Sequence, residues 1–283
     1  MTNIDPMEIL DFTTDLARQA GQLVFDHRSS SGITIEYKES IEMVTSADLE
    51  ADRFICSQIA DRFPTHQILS EELAPHLEDR ESLYEPLWII DPIDGTHNFI
   101  DGVPHFAVLI GLQIAGQSVL GLVHSSVLGE QQGATELQGQ SWWGGPEVGA
   151  WKGPGTTSES VRAVKLQCRP CSKLEDAFIT HGGLKHIQDA GLWDPFTEII
   201  TSSRRNRGYG DWFGHMLIAE GVCDGMVDPR VALYDLAAVE PILHAAGAVL
   251  IASEPHPLHD SFLGQAVSGT APIADELARR LDF

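Results

Sequence analysis

A chain of 283 residues with 43% hydrophobic and 21% charged content can bury a core of its own without disulfides or bound partners. Its 41 acidic and 18 basic side chains leave a formal net charge of -23, which argues against nucleic acid and anionic membrane surfaces as partners. In such a field a phosphate site must import positive charge, and bound divalent cations would turn the surplus carboxylates into ligands.

In chain order, the N-terminal segment MTNIDPMEILDFTTD is acidic and has neither the basic nor the apolar region of a secretion signal. No apolar run reaches bilayer-spanning length, so a cytoplasmic protein is expected. Ile9, Phe12, Leu16, Leu23 and Val24 recur at helical spacing and predict an amphipathic first helix. Ile33 to Tyr37 alternates as a short strand. Thr45-Ser46 stands as an N-cap before Asp48 and Glu50, with Ile55, Ile59 and Phe63 spaced four apart until Pro64, which marks a second helix. Two short apolar runs, Gln67-Ile68-Leu69 and Leu87-Trp88-Ile89-Ile90, end abruptly in acidic residues, as strands that deliver carboxylates to a site do.

Phe106 to Val127 is almost wholly apolar around Ala115-Gly116-Gln117 and predicts two long strands joined by a tight turn. The Gly, Trp and Ser-rich stretch from Gly129 to Ser160 predicts further turns. Helices are expected at Phe196 to Arg204, Trp212 to Gly221, Leu236 to Ala246 and Ile273 to Leu281, with short strands near Met226, Val249 and Ala266. Cys168 and Cys171 form a C-x-x-C pair without a second pair or a nearby histidine; with Cys56 and Cys223 they read as reduced structural thiols. The whole is α/β with layered sheets. Residues 1–283 read as one domain, in which a metal-binding lobe at 1–140 and a substrate-pocket lobe at 141–283 would divide within the Gly129 to Ser160 stretch.

The segment from Trp88 to Phe99, WIIDPIDGTHNF, carries the most chemistry. A buried strand runs into Asp91 and Asp94, two carboxylates three apart and braced by Pro92. Gly95 then lets the backbone approach a ligand, and the N–H groups of Gly95 and Thr96 would point outward where a helix begins. A solvated turn with capping aspartates is the alternative for an isolated D-x-x-D-G.

These residues resemble the metal motif of the inositol monophosphatase family over Trp88 to Leu112. Upstream, Ser70-Glu71-Glu72 is similar to the family's paired glutamates, and Val44-Thr45-Ser46-Ala47-Asp48 to the segment that places an aspartate near the attacking water. Downstream, Tyr234-Asp235-Leu-Ala-Ala with Gly247 is similar to the motif whose aspartate completes the second metal position. The resemblance covers most of the chain at four ordered motifs and implies an alternating α-β-α-β-α sandwich and a magnesium-dependent phosphatase with two to three ions. It implies that Glu71, Asp91 and the carbonyl of Ile93 hold one ion, that Asp91, Asp94 and Asp235 hold the next, and that Glu71, with Thr96 and Asp48, activates water while Gly95 and Thr96 bind phosphate. Hard oxygen donors of this kind suit magnesium better than histidines or thiols would. Asp48 as a plain helix cap, and Asp235 as an acidic residue at a helix start, stay open as alternatives.

For the substrate, Asp228 stands seven positions before Asp235, where the inositol phosphatases carry an acidic residue that meets substrate hydroxyls. Gly210-Asp211 followed by Trp212-Phe213 and an apolar turn ending in Ala219-Glu220-Gly221 resembles the histidinol-phosphate phosphatases of the same superfamily. An added carboxylate at Asp211 suits a substrate that carries an ammonium group beside its phosphate. Capping of the following helix, or pairing with Arg204, Arg205 or Arg207, is the alternative for Asp211. His97 is expected to face solvent, and His105 to be a surface or core residue. The resulting expectation is hydrolysis of L-histidinol phosphate, in histidine biosynthesis, by an enzyme that the resemblance makes a homodimer. An inositol-1-monophosphatase, another small phosphate esterase, or a non-catalytic metal-stabilised regulator are the other readings.

Overall fold

The computed structural model describes residues 5–29, 35–37, 43–74, 85–129, 139–154, 163–254 and 261–283. The first helix is α1 (Pro6–Ser29) and the second α2 (Ser46–Arg62), which starts at an N-cap on Thr45. A two-stranded antiparallel ribbon, β1 (Ile35–Tyr37) and β2 (Met43–Thr45), leads into α2.

A seven-stranded sheet follows: β3 (Gln67–Ser70), β4 (Leu87–Asp94), β5 (Ala107–Ile114), β6 (Gln117–Ser125), β7 (Gln140–Gly145), β8 (Gly149–Pro154) and β9 (Val164–Lys165), neighbours in that order. Only β3 and β4 pair in parallel. Between β5 and β6 the turn has positive φ at both Ala115 (52°) and Gly116 (75°), the backbone that matches strand twist in a two-residue hairpin. The strands β7 and β8 lie in the stretch expected to be turns. Gly144 and Gly145 serve packing rather than chain reversal: a Cβ on Gly144 would stand 2.8 Å from Ile242 Cα, and one on Gly145 2.2 Å from Val119 O.

The second half forms a five-stranded sheet from β10 (Phe178–His181), β11 (Arg205–Arg207), β12 (Gly225–Ala232), β13 (Val249–Ala252) and β14 (Leu263–Gly269), in the order β11-β10-β12-β14-β13. Its helices are α4 (Leu184–Asp189), α5 (Trp193–Ser202), α6 (Asp211–Ala219), α7 (Leu233–Ala237), α8 (Val239–Ala245) and α9 (Ala271–Leu281), after the short α3 (Thr96–Ile100) of the first half. The single helix expected from Leu236 to Ala246 is broken into α7 and α8. Pro241, early in α8, has no N–H to offer the carbonyl of Ala237.

Strand alternation sorts the core into layers. Trp88 and Ile90 face α1 and α2 with Ile55, Ile59, Leu16 and Ala20. Leu87 and Ile89 face the other way, onto Trp212 and Met216 of α6 and Leu236, Val239 and Ile242 of α7 and α8. Those helices rest in turn on the five-stranded sheet, whose far side packs Ile179, Val227 and Val267 on Phe196, Ile199, Ile273 and Leu277. The order is therefore helix, sheet, helix, sheet, helix, as expected. Among the described residues no helix is long and apolar enough to cross a membrane.

Candidate active site

Parallel pairing of β3 and β4 brings their C-terminal ends to one place, and Glu71, just past β3, donates its N–H to Ile90 O at 3.1 Å. The β4 ladder with β5 is interrupted between Asp91 and Asp94, where Pro92 has no N–H to give it. In that bulge Ile93 N donates to Asp91 Oδ1 at 3.0 Å, which turns the carboxylate back over its own strand end. Gly95 has φ 90° and a Cβ there would meet His105 O at 2.7 Å, so this corner accepts glycine for two independent reasons. Thr96 Oγ1 lies 2.9 Å from Ile93 O and 3.3 Å from Asp48 Oδ1.

Asp48 caps α2 and also reaches Thr96. Its Oδ2 accepts from Thr45 N at 2.8 Å, completing a capping box, while its Oδ1 faces Thr96. One turn on, the fully buried Asp52 accepts from the N–H groups of Glu72 and Leu73, both at 3.0 Å on Oδ2, and from Cys56 Sγ at 3.0 Å on Oδ1. The turn that carries Glu71 thus hangs on Asp52, which sequence reasoning did not single out. Its signal was the four-residue step from Asp48, one helical turn on the same face.

The second half supplies the other wall. Asp235 opens α7 and its Oδ2 accepts from Ala232 N at 2.6 Å. Asp211 begins α6 with φ 53°, and its Oδ2 accepts from Asn98 Nδ2 at 3.0 Å, while the next N–H, of Trp212, is donated to Asp94 Oδ2 at 2.9 Å. The side chain of Asp211 neither caps α6 nor meets an arginine: Arg204 donates to Asp176 O, Arg205 lies over the Phe178 ring and Arg207 donates to Asn206 O. Asp228 is buried in β12, its Oδ2 3.8 Å from His215 Nε2, behind the cavity lining rather than in it.

Gathering these carboxyls out of water is costly, and their proton affinities record it. Burial, and then the charges of Glu71, Asp94, Asp235 and Asp48, hold Asp91 well above the usual carboxylate range. Burial and the charges of Asp211 and Asp235 do the same for Asp94. Burial raises Asp235 to about 7 against the bond from Ala232, and burial with the charge of Asp228 raises Asp211 to about 6. Asp48 is raised by burial despite its bonds from Thr45 and Thr96. Among the described residues no group of three acidic, histidine or cysteine side chains is placed as it stands to hold a metal ion. The donor set is nonetheless all hard oxygen, and a cation would relieve the mutual repulsion of these groups, so the residues fit a hard divalent ion.

A cavity of about 580 Å³ opens over this cluster. Glu71, Asp211 and Asp235 line it, whereas Asp48, Asp91 and Asp94 are buried behind them. Its outer wall holds four histidines: His97, exposed as expected but at the cavity, His105, His181 and His186. His105 is therefore a cavity residue, edge-on to Trp212 and Phe213. Arg230 and Tyr234 complete the wall.

A model described as the inositol monophosphatase family matches residues 5–280. The histidinol-phosphatase of Streptomyces coelicolor is 30% identical over 277 residues, 96% of this chain and 96% of its own. That of Mycobacterium tuberculosis is 28% identical over 94% of this chain and 95% of its own. Human inositol monophosphatase 1 is 33% identical over 136 residues, 48% of this chain and 49% of its own. Among solved structures, the Thermotoga maritima IMPase matches with a TM-score of 0.77 at 24% identity over 97% of both chains, which is a likeness of fold.

Proposed function

The chain belongs to the inositol monophosphatase family and is a phosphoric monoester hydrolase, and from that premise we propose that it hydrolyses L-histidinol phosphate with magnesium as its cofactor. The observation that carries the substrate reading is Asp211. Its carboxyl lines the cavity, is held by Asn98 and is committed to neither helix cap nor arginine, as a partner for a substrate ammonium would be. An inositol ring offers no cation to repay the burial of that charge.

Glu71, Asp91 and Ile93 O, then Asp91, Asp94 and Asp235, would hold the ions. When bound, magnesium would neutralise phosphoryl oxygens, lower the pKa of water and support both the entering and the leaving oxygen of an in-line displacement. The chain's own contribution is orientation. Thr96 has its hydroxyl hydrogen directed to Ile93 O and Asp48 Oδ1, so its lone pairs accept an O–H of the attacking water. Glu71, fixed through its N–H to Ile90 O, accepts the second hydrogen and aims the water's lone pair at phosphorus. Gly95 and Thr96 present backbone N–H groups to the phosphate. Water adds to phosphorus as the bond from phosphorus to the ester oxygen breaks; one of the water's two protons passes to the ester oxygen and the other stays with the phosphate, giving the alcohol and inorganic phosphate without a covalent enzyme intermediate.

The test is phosphate release from histidinol phosphate and inositol 1-phosphate side by side, with magnesium and then with a chelator. Magnesium-dependent preference for histidinol phosphate is expected. Preference for the inositol ester would overturn the role of Asp211 and leave the metal chemistry standing, and undiminished turnover in chelator would overturn the latter.

A further inference from the structure

His181 ends β10 and is nine-tenths buried, yet its ring lines the cavity. Its Nδ1 lies 2.8 Å from Gly182 O, and a carbonyl oxygen can only accept. The neutral ring therefore carries its hydrogen on Nδ1 and offers Nε2 as an acceptor. Among the described residues no group bonds to Nε2, on a ring whose residue lines the cavity. The ring is fixed edge-on to Phe196, with centroids 5.1 Å apart.

The surroundings of the ring are bare backbone. Gly182, Gly183, Gly208 and Gly210 line the cavity beside His181 with no side chains, and a Cβ on Gly208 would come 3.2 Å from His181 Cε1. A Cβ on Gly210 would come 3.2 Å from Gly182 Cα, so the two backbone segments pack directly on each other and form one wall, bare of side chains, on which a flat ring can lie. The cavity far exceeds the volume of a phosphate alone. The carboxylates of Glu71, Asp211 and Asp235 and this unpartnered acceptor line the same cavity, so a substrate that meets both must carry a hydrogen-bond donor besides its phosphate.

We propose that His181 Nε2 is the acceptor of a subsite for a planar N–H heterocycle on the leaving group. This rests on the amino-alcohol phosphate reading above and extends it from the ammonium to the ring. A substrate N–H held there is bound alike in ground and transition states, so loss of the acceptor raises KM more than it lowers kcat.

The experiment compares kcat/KM for histidinol phosphate with that for phenylalaninol phosphate, which keeps the phosphate and the ammonium but has no ring N–H. Wild-type enzyme is expected to favour histidinol phosphate by about 10- to 100-fold, the usual effect of leaving one buried acceptor unpaired. His181→Phe should bring that ratio near unity, chiefly through KM, and His181→Gln, which keeps an acceptor, should restore part of it; thermal melting checks that both fold. A ratio unchanged in His181→Phe, or near unity already in wild type while both esters are hydrolysed, overturns the subsite alone. Hydrolysis of other phosphate monoesters but of neither amino-alcohol ester overturns the amino-alcohol reading, and the subsite with it.

Discussion

Asp52 illustrates how a residue without chemistry of its own can govern a site. Its Oδ2 gathers the N–H groups of Glu72 and Leu73, so two backbone donors of the turn bearing Glu71 are satisfied by one buried carboxylate. Asp52→Ala would leave those donors unpaired and free the turn to move. We expect its magnesium dissociation constant, read by calorimetric titration, to rise about tenfold, as supporting groups around metal ligands commonly require. Asp52→Asn retains an acceptor oxygen and should lie closer to wild type; equal affinities in all three would remove Asp52 from the site. At the same scale Asp211 shows what residue types alone leave open. Cap, arginine partner and substrate partner were all compatible with its neighbours in sequence, and the partner it takes in the fold, Asn98, lies 113 positions away.

Between elements the tightest fit is that of α8 and the end of α7 on the seven-stranded sheet, where glycines stand in the strands. A Cβ on Gly111 would come 2.7 Å from Ala237 O, and one on Gly121 1.9 Å from Ala238 O. Since Asp235 heads this helix pair, the depth at which it seats also sets the carboxylate's position over Asp91. Gly121→Ala must push the helices outward and is expected to cost about 1–3 kcal/mol, seen as a lowered thermal midpoint. A midpoint within error of wild type would show that the seat can yield. This packing explains why β7 and β8 were not legible in the sequence: Gly144 and Gly145, ordinarily turn signals, are there for close approach. The edge strand β11 was hidden for the opposite reason, because Arg205-Asn-Arg207 has no apolar alternation. By contrast α2 was legible to its first residue, since the Thr45 and Asp48 capping box is a local device.

For the whole molecule, the buried carboxyls link stability, protons and cations. The folded protein without cations keeps protons on Asp235 up to about 7 and on Asp211 up to about 6, whereas both release them near 3.8 when unfolded. Over that window the folded state binds more protons, so these groups lose stability as pH rises. His124 acts oppositely: burial lowers it to about 4, and its contribution grows as pH rises towards 6.5. Comparing thermal midpoints with and without magnesium cancels the histidine term. The magnesium-induced rise should therefore grow from pH 5 to pH 8, by at least about 2 °C; a rise independent of pH would mean that the cation does not replace these protons. Composition and periodicity by themselves determined an α/β protein with layered sheets, and the resemblance carried by four ordered acidic motifs implied the sandwich and the candidate carboxylates, because caps, strand ends and D-P-I-D-G-T are local chemistry written in adjacent residues. Only the tertiary structure decided that Asp52 holds the Glu71 turn, that Asp211 turns to Asn98 rather than to its arginines, and that four histidines wall the cavity. Those outcomes depend on which distant backbone packs against which, and no neighbouring residue encodes that contact.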